Sequence, residues 1–378
     1  MATSFKKKTG RGRAVFIPGT RPSIHNNQLL VSTGIPSMDA VFGGGVAVGT
    51  VLLIEEDNYG CYARQIMKYF LAEGVVSGHG LFLASADIDP HHILKDLPHP
   101  LVDEASEEPP SDSPSHDDPM KIAWRYQQKS KVQGTPSHQR LGHYYDLSRV
   151  MDESKLNNVQ ITTFNASKQS SQSTKTRSNK LYDKLLSMIE ESIGDGAYST
   201  SVPQNQQRTI LRIALHGLGS QLWGEECGST CSEFSPALPW LLYSLRATLR
   251  SSFAVCMVTI PTHVFQDTGF TRRIERLCDT VVSLESFAGS DKETNPLYKD
   301  YHGLFQIVRL PRLNTLSCHM PDTLDLAFKL RRKKFTIEVL HLPPDLSETA
   351  SRSQEDAVKR KPGSLPCQSG LGNSKLDF

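Results

Sequence analysis

Val51-Leu52-Leu53-Ile54 is an uninterrupted apolar run, preceded by Gly43-Gly44-Gly45 and Gly49 and followed by Glu55-Glu56-Asp57-Asn58-Tyr59-Gly60-Cys61-Tyr62. A helical pattern then runs from Ala63 to Glu73, with Ile66, Met67, Phe70 and Leu71 on one face, and is expected to stop at Gly74. Strand, short glycine-bearing loop and helix together form the setting of a phosphate-binding loop, G-x-x-x-x-G-K-[ST]. Laid over that pattern, only Gly60 survives, as the second glycine. Glu55 stands at the first glycine, Cys61 at the lysine and Tyr62 at the metal-binding hydroxyl. A working loop stabilises phosphate with positioned amides, a lysine and a metal ion. Here Cys61 is neutral, and Glu55, Glu56 and Asp57 bring negative charge to the same place. Like charges about 4 Å apart repel by roughly 4 kcal/mol at an effective dielectric of about 20. The loop therefore disfavours phosphate. Any strand–turn–helix unit can contain Gly and Asp, so a second sign is needed.

That sign lies further along the chain. In nucleotide hydrolases of this kind a later apolar strand ends in an acid that holds magnesium. The strand Ile210–Leu215 ends instead in His216, with no acid before Glu225. The other candidate strand, Ala254–Ile260, ends at Pro261-Thr262 and carries no acid either. Asp87, after the strand Leu81–Ser85, stands where related folds keep a water-activating acid, but it replaces neither missing group. Both halves of the chemistry are absent. The residues Glu55, Asn58, Tyr59, Gly60, Cys61, Tyr62 and His216 thus form a degenerate nucleotide loop, with no catalytic residue and no metal set expected.

The strand–helix–strand over 51–85 implies a right-handed parallel crossover. Further on, Leu181, Leu185, Met188 and Ile189 mark a helix ending at Gly194, and a second helix spans about Pro236 to Arg250. Phe253–Ile260 and Val281–Leu284 read as strands, and Leu304–Leu310 with Phe335–Leu340 as a closing pair. Alternating strands and helices with a β-rich end predict an α/β fold: a central, mostly parallel sheet with helices on both faces. Residues 1–28 form a basic tail, with Lys6, Lys7, Lys8, Arg11 and Arg13, and are predicted to be disordered. A solvated tail is the plain reading; a nuclear-import or RNA-touching arm is the alternative. One domain is expected over 29–344, with insertions near 101–120, 130–140 and 167–180, then a loose tail over 345–378. Between Asp103 and Asp118 lie seven acids, four serines and no Lys or Arg, which is disorder-prone.

Net charge is only +2, so any nucleic-acid binding must come from local basic patches. No apolar run approaches the roughly 20 residues that span a bilayer, and the basic start lacks an apolar segment of a secretory signal. Seven cysteines, an odd number, point to reduced thiols. Cys227 and Cys231 lack a second pair at zinc spacing, and His91-His92 and Cys318-His319 read as ordinary loop residues.

Gly34-Ile35-Pro36-Ser37-Met38-Asp39, Gly43-Gly44-Gly45, the altered loop at 55–62, Lys121-Ile122-Ala123-Trp124-Arg125-Tyr126 and the segment Phe335–Pro344 together carry a resemblance. Across about residues 29–344 the chain resembles the fourth-subunit family of the Elongator complex. The resemblance implies a RecA-like (P-loop NTPase-like) fold without Walker motifs. It further implies a non-catalytic subunit in a hetero-hexameric ring with the fifth and sixth Elongator subunits. That ring would attach to the catalytic Elongator subcomplex, bind tRNA and support C5 modification of the wobble uridine, in cytoplasm and nucleus. No cofactor is expected on this chain, with ATP left to the ring as a whole. Rival readings are an active ring ATPase completed by neighbouring subunits and a RecA-like DNA-binding paralogue.

In ring-forming RecA-like proteins the loop after the strand equivalent to 253–260 faces the pore. Here Pro261–Arg276 carries Arg272, Arg273 and Arg276, with Phe265 and Phe270 as stacking surface, a combination suited to RNA. The alternative is the solvated start of a helix. Lys329, Arg331, Arg332, Lys333 and Lys334 form a dense basic run, read as charge protecting a strand edge. Trp124, Arg125 and Tyr126 are of types enriched at interface hot spots, the alternative being a tryptophan in its own core.

Overall fold

The computed structural model describes residues 17–23, 26–101, 141–168, 180–196, 198–201, 208–224, 236–315 and 319–341. The chain opens with β1 (Thr20–Pro22), β2 (Leu29–Val31), α1 (Pro36–Val41) and β3 (Val46–Ala47), the three strands forming a small antiparallel sheet. Next come β4 (Val51–Glu55), α2 (Cys61–Val76), β5 (Gly80–Ser85), α3 (Pro90–Lys95), and the antiparallel pair β6 (Pro98–Leu101) and β7 (Tyr144–Val150). Then follow α4 (Glu153–Leu156), β8 (Ile161–Asn165), α5 (Lys180–Asp195), β9 (Leu211–His216), α6 (Ala237–Arg250), β10 (Ala254–Ile260) and α7 (Thr268–Leu277). The described chain closes with β11 (Thr280–Ser286), α8 (Asp291–Thr294), β12 (Gly303–Arg309), β13 (Leu326–Leu330) and β14 (Phe335–Val339).

Nine strands make the main sheet, in the order β14-β13-β12-β11-β4-β10-β9-β5-β8. From β11 to β8 every neighbouring pair is parallel, while β12, β13 and β14 join antiparallel. The loop-bearing strand β4 is separated from β9 by one inserted strand, β10, which is the RecA-like order. In β4 all five residues are buried, as expected of a strand covered on both faces. Leu52 and Ile54 join the core under α1, α2 and α3; Val51 and Leu53 join the core under α5, α6 and α7. The sheet is thus an α/β sandwich with helices on both faces.

Several elements depart from the sequence reading. Helix α2 runs through Gly74 to Val76. This glycine is a close approach and not a stop, because a Cβ there would lie 2.6 Å from Leu81 Cδ2 and 2.8 Å from Arg212 Cδ. Arg212 is wholly buried inside β9, where it donates to His79 Nδ1 (3.0 Å) and to the carbonyls of Ser32 (2.8 Å) and Phe70 (3.1 Å). Glu73, also buried, accepts from the Tyr145 hydroxyl (2.7 Å) and the His143 amide (3.0 Å). The compact region starts before residue 29: Ile17 is buried and Thr20–Pro22 pairs with Leu29–Val31. Part of the assigned tail is therefore a strand. His91 and His92 sit in α3 rather than a loop, with Asp89 Oδ1 accepting from the His91 amide. The expected closing pair is not a pair, since β13 lies between β12 and β14.

The basic run at 329–334 also reads differently. Lys329 points inward, 2.8 Å from Glu338 Oε2 and over the Tyr301 ring, while Arg331, Arg332, Lys333 and Lys334 are exposed at the turn between β13 and β14. What occupies the outer amides of β14 is neutral. Tyr69 Oη accepts from the Phe335 amide at 3.0 Å and Ser37 Oγ from the Ile337 amide at 2.9 Å. The insertions assigned near 101–120, 130–140 and 167–180 fall almost wholly outside the described residues, as does the tail at 345–378; Leu101 ends β6 and Lys180 opens α5.

Candidate functional site

A parallel sheet collects its loops at the carboxyl ends of its strands, and ligands of such folds bind there. At this edge β4 ends in the buried Glu55, and the Glu56 amide donates to the Ile260 carbonyl of β10 at 2.9 Å. The chain turns through Gly60, which holds a left-handed φ of +63° immediately before α2. Any other residue would be strained there.

In a working loop the amides of the first helical turn face phosphate. Here Asp57 Oδ1 accepts from the Tyr62 amide at 3.1 Å, so a carboxylate of the chain itself takes that donor. Glu56 Oε2 lies 3.3 Å from where a Cβ on Gly60 would stand, so a second acid lies against the start of the helix. Tyr62 turns away from the loop and packs on Phe328 of β13, with ring centroids 4.7 Å apart. Its phenol is held above its ordinary range chiefly by burial. Cys61 and Tyr59 are exposed, and Cys61 Sγ has the Arg64 guanidinium 3.9 Å away. Asn58 is exposed as well.

The electrostatics are those of buried acid. Burial raises the Glu56 carboxyl to about 7 against a bond to Thr259, with the charges of Asp57 and Asp87 adding to the rise. Burial also raises Glu55, which bonds Ser283. His216, at the end of β9, is buried, and desolvation followed by the Arg64 charge lowers it to about 4, so it is neutral at physiological pH. Glu55 Oε1, Glu56 Oε1, Asp57 Oδ2 and both His216 ring nitrogens are buried and unpartnered among the described residues. Among those residues no group of three or more His, Cys, Asp or Glu could hold a metal ion, and no helix is long and apolar enough to cross a membrane.

The arginines expected on a pore loop lie on α7. Asp267 caps this helix, accepting from the Gly269 (2.8 Å) and Phe270 (3.1 Å) amides. Arg272, Arg273 and Arg276 stand on it, but Phe270 is buried and stacks edge-on against Phe265, so neither ring is offered as a platform. Arg272 lines a groove of about 500 Å³ together with Glu56, Asn58, Glu275 and Glu285. The spacing of Phe270, Ile274 and Leu277 behind a capping Asp267 was the signal for this helix. Trp124, Arg125 and Tyr126 lie outside the described residues. Sequence reasoning missed Asp57 as the partner of the helix start; an acid three residues before the glycine turn was its trace. It also missed Asp279, which accepts from Arg246 (2.7 Å), Arg250 (2.6 Å) and the Val51 amide (3.1 Å), fastening α6 to the start of β4.

A family model described as PAXNEB protein matches residues 13–378. The chain is 49% identical to Elongator complex protein 4 of Danio rerio, over all of this chain and 96% of that protein. It is 47% identical to Elongator complex protein 4 of Homo sapiens, again over all of this chain and 94% of that protein. The chain belongs to the Elongator complex protein 4 family. Membership reaches to the family's protein from Saccharomyces cerevisiae, 25% identical over 93% of this chain and 81% of that one. A KaiC-like protein from Pyrococcus horikoshii aligns with 82% of this chain and 98% of its own, at 13% identity and a TM-score of 0.43. The strand order, and not that shallow likeness, carries the RecA-like assignment.

Proposed function

We propose that this member of the family serves as a non-hydrolysing subunit of the Elongator complex. In this reading it stands in a RecA-like hetero-hexameric ring with the fifth and sixth subunits, which binds tRNA and supports C5 modification of the wobble uridine in cytoplasm and nucleus. One observation carries it: Asp57 accepts from the Tyr62 amide, so the donor that would meet phosphate already serves a carboxylate. Glu56 lies beside it, Cys61 has no ammonium for phosphate, and the Tyr62 ring packs away from the loop on Phe328. Family membership makes other Elongator subunits the partners; their identity, the ring and the tRNA are part of the proposal. The test is nucleotide binding and turnover by the isolated chain and by the co-purified assembly, with native mass for its stoichiometry. No binding to the isolated chain at micromolar ATP, and a mass holding two copies each of three subunits, are expected. Micromolar ATP binding with turnover by the isolated chain, or loss of tRNA modification in a folded, intact assembly carrying Cys61→Ala, would overturn the non-hydrolysing reading. It would favour an active ring ATPase instead.

A further inference from the structure

We propose that the acidic pocket at the end of β4 receives a basic side chain, lysine or arginine, from a neighbouring subunit. That side chain would take the place a nucleotide phosphate takes in hydrolysing relatives, with the charges inverted. The inference rests on the reading of the chain as a subunit of an assembly.

Two independent observations meet here. The first is the set of buried acceptor atoms without donors, Glu56 Oε1 and Asp57 Oδ2, with Asp57 only 1% exposed. The second is His216, which comes from a different strand, is only 5% exposed, and has both ring nitrogens unpartnered. Both stand beside Thr259 of β10: Glu56 bonds its hydroxyl, and that hydroxyl accepts at 2.9 Å from the amide of Gly217, the residue after His216 on the neighbouring strand. Buried polar atoms in folded proteins are almost always paired, and an exception calls for a partner.

The chemistry of that partner follows from the acceptors. An anion is repelled by the carboxylates, and no group among the described residues could hold a metal ion. What fits is a cationic N–H donor. Arginine carries five such hydrogens in a fork that matches carboxylates, and lysine carries three on a flexible stem. Access is by the groove of about 500 Å³ beside Glu56, whose wall includes Asn58 and Glu275. Arg272 lines the same groove but reaches none of the orphaned oxygens. Because the chain belongs to a family of complex subunits, a second chain is the available source of the base.

The experiment compares the full-length chain with Glu56→Gln and Asp57→Asn, each co-expressed with the other Elongator subunits. Asp57→Asn keeps a carbonyl oxygen for the Tyr62 amide, and Glu56→Gln keeps the shape of the side chain it replaces. Affinity for the neighbour should fall roughly tenfold or more for Glu56→Gln, since close interfacial charge pairs couple strongly. Its dependence on salt should flatten, while the isolated variant melts at the same temperature as wild type or above. Carbodiimide should join Glu56 or Asp57 to a neighbour's lysine if lysine is the base. If arginine is the base no link forms, and placing a Glu at the neighbour's arginine should be rescued by Glu56→Arg. Assembly with unchanged affinity and salt slope in both variants would sink the pocket and leave the subunit reading standing. A wild-type chain that retains no Elongator subunit would sink both.

Discussion

Glu56 is a carboxyl that the fold holds against its own charge. Its pKa is raised from 4.5 in water to about 7, so the folded chain binds a proton there that the unfolded chain releases. That contribution is complete below about pH 4.5 and is lost as pH rises through 7. The difference is worth roughly 3 kcal/mol. Glu56→Gln should therefore be more stable than wild type at pH 8 by about 1–3 kcal/mol and no more stable at pH 4.5. Urea denaturation at the two pH values checks this, and an equal effect at both would refute it. Gly74 makes the opposite point about a residue with no side chain. Alanine there would gain about 1 kcal/mol of helix propensity. It would also drive a methyl into Leu81 and into an Arg212 side chain pinned by three hydrogen bonds. Overpacking costs about 1–3 kcal/mol, so Gly74→Ala is expected to be net destabilising by urea melts. At both positions the deciding neighbours lie far away in the sequence. The Glu56 carboxyl is raised by burial and, in part, by the charge of Asp87, and it bonds Thr259, both well beyond the loop; the apparent helix stop at Gly74 is settled by Arg212, far along the chain.

At the scale of elements, α7 carries the RNA question. Its arginines, Arg272, Arg273 and Arg276, stand on a capped helix, with Arg309 Nη1 donating to the Arg276 carbonyl at 2.8 Å. If they meet tRNA phosphates, changing all three to alanine should weaken binding equally across tRNA species, since phosphate carries no sequence. Each lost contact should flatten log affinity against log salt by about 0.7–0.9. Arg272 shares its groove with Glu56, Glu275 and Glu285, so Arg273 and Arg276 are expected to account for most of the change. An unaltered salt slope in an intact assembly would remove α7 from the RNA surface. Asp267→Ala tests the helix itself, costing about 1 kcal/mol through loss of its cap. The sequence made the parallel core legible wherever an apolar run was long and flanked by glycine or proline, as at β4, β9 and β10. It hid β8, whose Ile161-Thr-Thr-Phe-Asn alternates too weakly to stand out, and β13, whose Lys329 looks like surface until Glu338 and Tyr301 enclose it. The loss of the phosphate loop was plain in Cys61 and Tyr62, but its replacement by Asp57 was not. A hydrogen bond to a backbone amide five residues on leaves no pattern in composition.

The segment 103–118, outside the described residues, tests the whole molecule in a simple way. Its only apolar residue apart from proline is Ala105, so it has little to bury, and deleting it should leave the melting midpoint unchanged. Each kcal/mol lost would move that midpoint by about 2–4 °C, which calorimetry resolves. A drop of several degrees would show that the acids pack against the sheet. The two side chains that occupy the outer amides of β14 bear on how such a molecule can meet others. Tyr69 and Ser37 come from α2 and α1, so the helices that cover one face also bolt the end of the sheet. A strand from another chain has no backbone donors left to grasp at Phe335 or Ile337. Backbone pairing is indifferent to sequence, and a chain that could be zipped onto at this end would accept itself as readily as any other. With those two donors taken, an approaching strand gains less from the backbone here, and what this end of the sheet meets is chosen more by side chains, which can tell a partner from a second copy.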